Sequence, residues 1–325
     1  MTKKYKICVL GGTGFVGFHL VHNLAEAGHS LRVLTRRRER HRELLVLPTV
    51  DLVQADIHDA QTLVDQFEGC DVVINLVGVL NEGKRGGDSF HDAHVALVQN
   101  IVAACRAKGV GRLLHMSALN ADARQGRSAY LRSKGEGEDI AHHGADKGIR
   151  VTSFRPSIIF GPGDHFFNRF AALLKWVPLA LPLACPGSRY APVFVEDVVK
   201  AFCRALDHRD THGQRYELCG PNQYTLQQLV EYTAAVTGRR RMILPLGDRL
   251  SRLQARVMEH LPGKPLTYDN YLSMQQDNVC QGEGFPPLFE LSPVSVEAVV
   301  PYYLTQRHQR AQRYQIYRQL SRHDY

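Results

Sequence analysis

The stretch Lys6-Ile7-Cys8-Val9-Leu10-Gly11-Gly12-Thr13-Gly14-Phe15-Val16-Gly17 decides how the rest of the chain is read. Ile7 to Leu10 is a short apolar run of the kind that forms a strand covered on both faces of a parallel sheet. Glycines follow at 11, 14 and 17, and Phe18 to Ala25 then reads as a helix closed by Gly28. Strand, glycine turn and helix make the first half of a dinucleotide-binding unit. The three glycines serve different physical ends. One makes the tight turn, one lets backbone approach a pyrophosphate, and one lets helix lie close on strand. The helix N-terminus then offers N–H groups and a partial positive charge to phosphate. Gly11, Thr13, Gly14, Phe15, Val16 and Gly17 are therefore candidate cofactor-binding residues.

Working outward, Leu31-Arg32-Val33-Leu34 is the second strand. A site that prefers NAD usually ends this strand in Asp or Glu, which holds the ribose 2′-hydroxyl. Here Thr35 is followed by Arg36, Arg37 and Arg38. A guanidinium holds a 2′-phosphate through paired hydrogen bonds, whereas a carboxylate repels it. Arg36 and Arg37 thus point to NADP(H), with NAD(H) the alternative; the same run, continued by Glu39, Arg40, Arg42 and Glu43, also reads as a solvated charged loop.

Val50 to Ile57 is a third strand with its exit, Leu63 to Phe67 a short helix, and Asp71 to Gly78 a fourth strand ending in glycine. His94 to Lys108 carries apolar residues at helical spacing, and Arg112 to Ser117 is a fifth strand. Strands alternating with helices predict an α/β fold with a Rossmann-type, doubly wound parallel sheet. After Gly161 the pattern changes to an apolar, proline-broken segment from Phe166 to Leu183. The expected division is a dinucleotide-binding domain over 1–160 and a smaller substrate or docking lobe over 161–325. Residues near 193–203 and 214–220 are expected to return to the first domain.

The possible chemistry lies after the fifth strand. Ser117 ends that strand, and Tyr130-Leu131-Arg132-Ser133-Lys134 opens the next helix. Tyr and Lys four apart share one helix face. An ammonium beside a phenol is expected to favour the phenolate and lower its pKa. Such a Tyr passes a proton to or from a substrate oxygen while hydride moves at a nicotinamide, and Ser117 would bind the same oxygen. The Tyr/Lys spacing is common by chance; its place in a nucleotide fold makes it specific.

These motifs resemble the short-chain dehydrogenase/reductase superfamily. Arg155 to Pro162 and Val195-Glu196-Asp197-Val198-Val199 resemble its extended and atypical branches. Tyr130 to Glu138, Pro265-Leu266-Thr267, Asp277-Asn278-Val279 and Pro301-Tyr302-Tyr303-Leu304 are similar to the branch that holds the nucleotide-binding accessory subunit of mitochondrial complex I and its bacterial relatives. The resemblance implies that Asp56 and Ile57 lie at the adenine, that Leu76, Val77 and Gly78 line the ribose and nicotinamide, and that Pro156 to Ile158 pass the carboxamide. His94 departs from an Asn common in these branches, and by itself reads as a packing or surface histidine. The resemblance also implies a respiratory complex as partner and a quinone-like or other small-molecule substrate.

The 325 residues carry a formal charge of +8, which suits an anionic cofactor or an anionic membrane surface. No nucleic-acid motif is present, and that class is set aside. Seven scattered cysteines read as free or buried thiols in a reducing compartment, with no zinc-type pairing. The first strand begins at Lys6, so no leader is expected, and no apolar run is long enough to span a bilayer. The tail carries Arg307, Arg310, Arg313, Arg318 and Arg322 among tyrosines, and reads as a solvated helix or as one lying on anionic lipid. The expected location is cytoplasmic, peripheral on the inner membrane. Three functions stay open: an NADP(H)-dependent oxidoreductase, a nucleotide-binding accessory or assembly factor of a respiratory complex, and a sugar-nucleotide epimerase or dehydratase. Internal redox in the last class usually uses tightly held NAD, and Arg36 argues against it.

Overall fold

A computed structural model describes residues 3–82, 89–144, 148–282 and 284–305. The first half alternates β1 (Lys6–Leu10), α1 (Phe15–Glu26), β2 (Ser30–Thr35), β3 (Val50–Gln54), α2 (Ala60–Gln66), β4 (Val72–Asn75), α3 (Leu97–Lys108), β5 (Arg112–Met116), α4 (Ala129–His143) and β6 (Arg150–Pro156). The chain then leaves through β7 (Ile159–Phe160), α5 (Phe167–Trp176), β8 (Ala180–Leu183), β9 (Arg189–Tyr190) and β10 (Val193–Phe194). It returns with α6 (Val195–Ala205) and β11 (Arg215–Leu218), and ends through β12 (Tyr224–Thr225), α7 (Leu226–Val236), β13 (Met242–Pro245), α8 (Asp248–Met258), α9 (Tyr268–Met274) and α10 (Val296–Leu304).

The main sheet has seven parallel strands in the order β11-β6-β5-β4-β1-β2-β3. Its direction of growth reverses between β1 and β4, which opens a crevice at the carboxyl ends of those strands, where open α/β sheets bind ligands. Alternation along β1 explains the two layers. Ile7 and Val9 point into the core shared with α1 and α6, whereas Cys8 and Leu10 point into the core under α2, α3 and α4. A third core, with Phe160, Phe167, Leu181, Leu229, Ile243 and Val300, belongs to the lobe.

Several expectations are corrected. Helix α1 starts at Phe15, three residues before the expected Phe18, because extended backbone at Gly14 (φ −79°, ψ 178°) forms its N-cap. His94 lies in a π-helical turn, Asp92–Ala96, that runs into α3. Cys219 and Cys280 form a disulfide, so the seven cysteines are not all free thiols. The strand β9 brings Asn278 beside Tyr190, and this places Cys280 against the end of β11. A pairing across 61 residues leaves no local spacing signal. The arginines from Arg307 to Arg322 lie outside the described residues. Among those described, no helix is long and apolar enough to cross a membrane.

Candidate active site

Each glycine of the first turn has its own reason. Gly11 stands at φ +76°, a left-handed position that glycine takes without strain. A Cβ there would lie 3.0 Å from the Leu76 carbonyl carbon and 3.1 Å from the Val77 nitrogen, so the turn fits against the exit of β4. A Cβ at Gly17 would meet Gly12 Cα at 2.6 Å, which keeps α1 close on the turn. Gly14 is exposed and would meet only the Gly11 carbonyl oxygen, at 3.3 Å. Among the described residues no side chain caps α1, and its first turn holds no acid. The N–H groups of Phe15, Val16 and Gly17 are therefore left to an anion. This cradle fits a pyrophosphate.

The other expected cofactor residues stand along the same carboxyl edge. Arg36 and Arg37 are exposed just after β2, and the Arg37 N–H donates to Thr35 Oγ1 at 3.4 Å. Arg38 turns back instead, its Nε donating to the Leu52 carbonyl at 2.9 Å. Asp56 follows β3 and accepts from the His58 N–H at 3.0 Å, while Ile57 packs on the core beneath α2 and α3. Leu76 N–H donates to the Leu10 carbonyl, and Val77 N–H donates to Asn75 Oδ1. Pro156 closes β6, its carbonyl accepting from Leu119 N–H, and Ile158 packs against the lobe.

Gly78 ties the cofactor edge to the possible chemistry. A Cβ there would be 3.7 Å from both His94 Nε2 and Lys134 Nζ. Lys134 is buried and donates to the Met116 carbonyl at 2.6 Å; burial lowers its pKa to about 8, with Glu138 acting in the opposite direction. Burial pushes the Tyr130 phenol up to about 12. The expectation of a phenol lowered by its lysine is thus corrected, because desolvation governs this phenol and the ammonium is turned to the end of β5. Ser117 follows Met116. Its backbone N–H donates to the Phe154 carbonyl, but its buried Oγ has no partner among the described residues. An orphaned hydroxyl costs about 1–3 kcal/mol, and it marks a place where a ligand oxygen would be welcome.

Three supporting residues were not singled out in the sequence for the parts they play. His94 is buried, with its ring 5.6 Å from that of Tyr130. Its Nε2 accepts from the Val79 N–H at 3.0 Å and its Nδ1 lies 2.9 Å from Ser133 Oγ. Since Ser133 Oγ donates to the Tyr130 carbonyl, His94 holds its proton on Nδ1. Burial drives its pKa down to about 2, so it stays neutral. Gly137 lets α4 approach the His94 backbone, with a Cβ position 3.1 Å from the His94 carbonyl carbon. Asp269 of α9 reaches across from the lobe and accepts from the N–H groups of Ala129 and Tyr130 at 2.7 and 3.2 Å. Gly137 carries a signal as an unusual residue within a helical pattern and His94 as a departure from the resembled pattern, whereas Asp269 carries none.

Residues 7–219 match the NAD dependent epimerase/dehydratase family. NADH dehydrogenase (ubiquinone) 1 alpha subcomplex subunit 9, mitochondrial, of Mus musculus is 33% identical over 244 residues, which is 73% of this chain and 63% of that protein. The chain thus spans less than two thirds of that relative's length. The 2-alkyl-3-oxoalkanoate reductase of Stenotrophomonas maltophilia is 33% identical over 49% of this chain and 52% of its own. Pal from Bacillus thuringiensis has the same fold, with a TM-score of 0.72 at 18% identity, over 94% of this chain and 99% of that one. So has the UDP-glucose 4-epimerase of Thermus thermophilus, solved with NAD, with a TM-score of 0.60 at 22% identity over 82% and 98%. The matched region runs from β1 to the end of β11, the whole of the central sheet. The chain therefore belongs to the NAD-dependent epimerase/dehydratase family, among the short-chain dehydrogenase/reductase-like proteins.

Proposed function

We propose that the chain is an NADP(H)-binding oxidoreductase that reduces a carbonyl or quinone-like compound in respiratory-chain or quinone metabolism. The observation that carries this reading is the buried, unpartnered Ser117 Oγ beside the Lys134–Met116 contact. The nicotinamide cofactor would supply the hydride. Backbone N–H groups of the glycine turn bind the pyrophosphate, Asp56 and Ile57 flank the adenine, and Arg36 with Arg37 holds the 2′-phosphate. Leu76, Val77, Gly78, Pro156 and Ile158 bound the nicotinamide side, and Lys134 donates to its ribose. Ser117 Oγ donates to the substrate oxygen. Tyr130, with a phenol at about 12, keeps its proton at neutral pH and delivers it to that oxygen.

The accessory-factor reading has an observation of its own. Lys134 gives one of its three N–H donors to a carbonyl, and Tyr130 is shifted away from the phenolate, as in a site that holds nucleotide without turnover. The mouse relative's name supports a partner within a respiratory complex, and with that reading goes a cytoplasmic location, peripheral on the inner membrane. The epimerase reading is disfavoured by Thr35 and Arg36 standing where an acid would hold NAD.

Titration of NADPH and NADH into the wild type and Arg36→Ala tests the cofactor. NADPH should bind about 10- to 100-fold more tightly, as one charge-assisted contact provides, and the variant should lose most of that margin. Equal affinities in the wild type would overturn the NADP(H) assignment. NADPH oxidation with carbonyl and quinone panels tests turnover; none above the Tyr130→Phe background would favour the accessory role.

A further inference from the structure

Helix α8 is built inside out. Its small residues Ser251 and Ala255 are buried, while Leu250, Leu253 and Val257 are 56%, 57% and 55% exposed. They recur at spacings of three and four, so they form one stripe facing away from the protein, and Leu261, also exposed, follows just after the helix. The inward side needs little volume because polar contacts fix it. Ser251 Oγ accepts from the Cys185 N–H and lies 3.2 Å from the Leu246 carbonyl, and Gln254 Nε2 donates to the Pro182 carbonyl. The helix is thereby laid along β8.

The apolar surface continues beyond the helix. In the parallel pair β8 and β13, Met242 stands opposite Ala180 and Leu244 opposite Pro182. Leu181, Leu183 and Ile243 enter the lobe core, whereas Met242, Leu244 and Pro182 face out. The Met242 N–H donates to the Leu179 carbonyl at 3.1 Å, which joins this face to the end of α5. There Trp176 is 82% exposed and Leu179 80%. Soluble monomers rarely leave so much contiguous apolar surface uncovered.

Charge identifies the occupant. Lys175 precedes Trp176, Arg239 to Arg241 precede Met242, and Arg249 and Arg256 lie on one side of the α8 stripe. The acids of α8 are turned to other work: Asp248 accepts from the Tyr271 hydroxyl, and Glu259, just after the helix, accepts from the Tyr268 N–H. An apolar stripe with a basic border suits a helix lying in the interface of an anionic bilayer. A tryptophan at the border suits the headgroup level, where its ring meets both apolar and polar surroundings.

We propose that this face of the lobe seats the protein on an anionic phospholipid surface, with α8 flat in the interface and Trp176 among the headgroups. The docking face is separate from the crevice at the sheet edge, and its function does not depend on which reaction that crevice performs.

Trp176 is the only tryptophan, so its emission reports on this face alone. The full chain should co-sediment with vesicles of phosphatidylcholine and phosphatidylglycerol, and its emission should move to shorter wavelength. High salt, or phosphatidylcholine alone, should reverse both. Leu253→Glu with Val257→Glu should weaken partitioning by more than about tenfold, since each side chain loses its apolar burial. Arg240→Gln and Arg249→Gln should each cost about fivefold, the amount a surface arginine contributes. NADPH titration checks that these variants fold, and wild-type fluorescence tests the proposal even if one does not. Sedimentation with unshifted emission would assign binding to the tail and overturn the proposal. So would a blue shift without vesicles that grows with protein concentration, which would mean a second copy covers the face. Absence of binding to anionic vesicles at low salt would overturn it as well.

Discussion

Gly137→Ala pits two effects of opposite sign against each other. Alanine is favoured over glycine inside a helix by about 1 kcal/mol, and Gly137 lies within α4. Against this, the new Cβ would overlap the His94 carbonyl oxygen and stand 3.1 Å from its carbon. Neither is the far end of a flexible side chain; both belong to the backbone of the π-helical turn. Relief requires α4 and that turn to part by on the order of 1 Å, and overpacking of this kind costs about 1–3 kcal/mol. The clash should win, with a lower melting temperature by roughly 2 °C per kcal/mol of net loss in a chain of this size. The displacement also falls on the helix that carries Tyr130 and Lys134, and a misplacement of about 1 Å can cost 100-fold in rate. Calorimetry of Gly137→Ala, with the exposed Glu136→Ala as control, measures the first effect, and NADPH titration with turnover measures the second. A variant that melts higher than wild type and binds NADPH unchanged would show that helix propensity prevails and that α4 does not rest on His94.

Tyr130→Phe should leave NADPH affinity intact and abolish turnover, whereas Lys134→Ala should weaken the affinity itself; a fully active Tyr130→Phe enzyme would remove Tyr130 from the chemistry. His94 predicts a pH dependence: its folded pKa, about 2, lies below the unfolded 6.5, so its contribution is whole above 6.5 and lost as pH falls through that range. Denaturant titrations from pH 7 to 4 should show wild type losing up to about 1.4 kcal/mol per pH unit relative to His94→Asn, and parallel curves would refute it. Cys219→Ser should lower stability by up to about 4 kcal/mol through the 61-residue loop that the bond closes, with reductant changing wild type but not the variant.

What could be read in the sequence was local. The glycine turn, the alternation of strands and helices, and a helix carrying Tyr130 and Lys134 each occupy a short window whose residue types state their own reason. What could not be read depends on contacts between distant windows. Asp269 meets Ala129 across 140 positions, and Cys219 meets Cys280 across 61. The phenol of Tyr130 shows the limit within a single helix. Spacing places Lys134 on its face, but its ammonium is drawn to the Met116 carbonyl, on a strand the spacing knows nothing about. Helix α8 is not read in the sequence at all. Only Ser251 and Ala255 in contact with the lobe reveal that the stripe faces outward.

The carboxylate of Asp269 makes the lobe a component of the helix it touches. Ser128 Oγ caps Leu131, and Asp269 receives the two N–H groups just before it, so a charge from the lobe sits on the positive end of the α4 dipole. If the lobe swings away to admit a substrate, α4 loses two hydrogen bonds and the charge that stabilises its first turn, the turn bearing Tyr130. Opening and fraying would then be one event, with Tyr130 in order only while Asp269 holds the turn. Such an interlock would keep the bound nucleotide from reacting with water or stray oxidants while the crevice stands open, and would make the lobe's resting position on any surface felt at Tyr130.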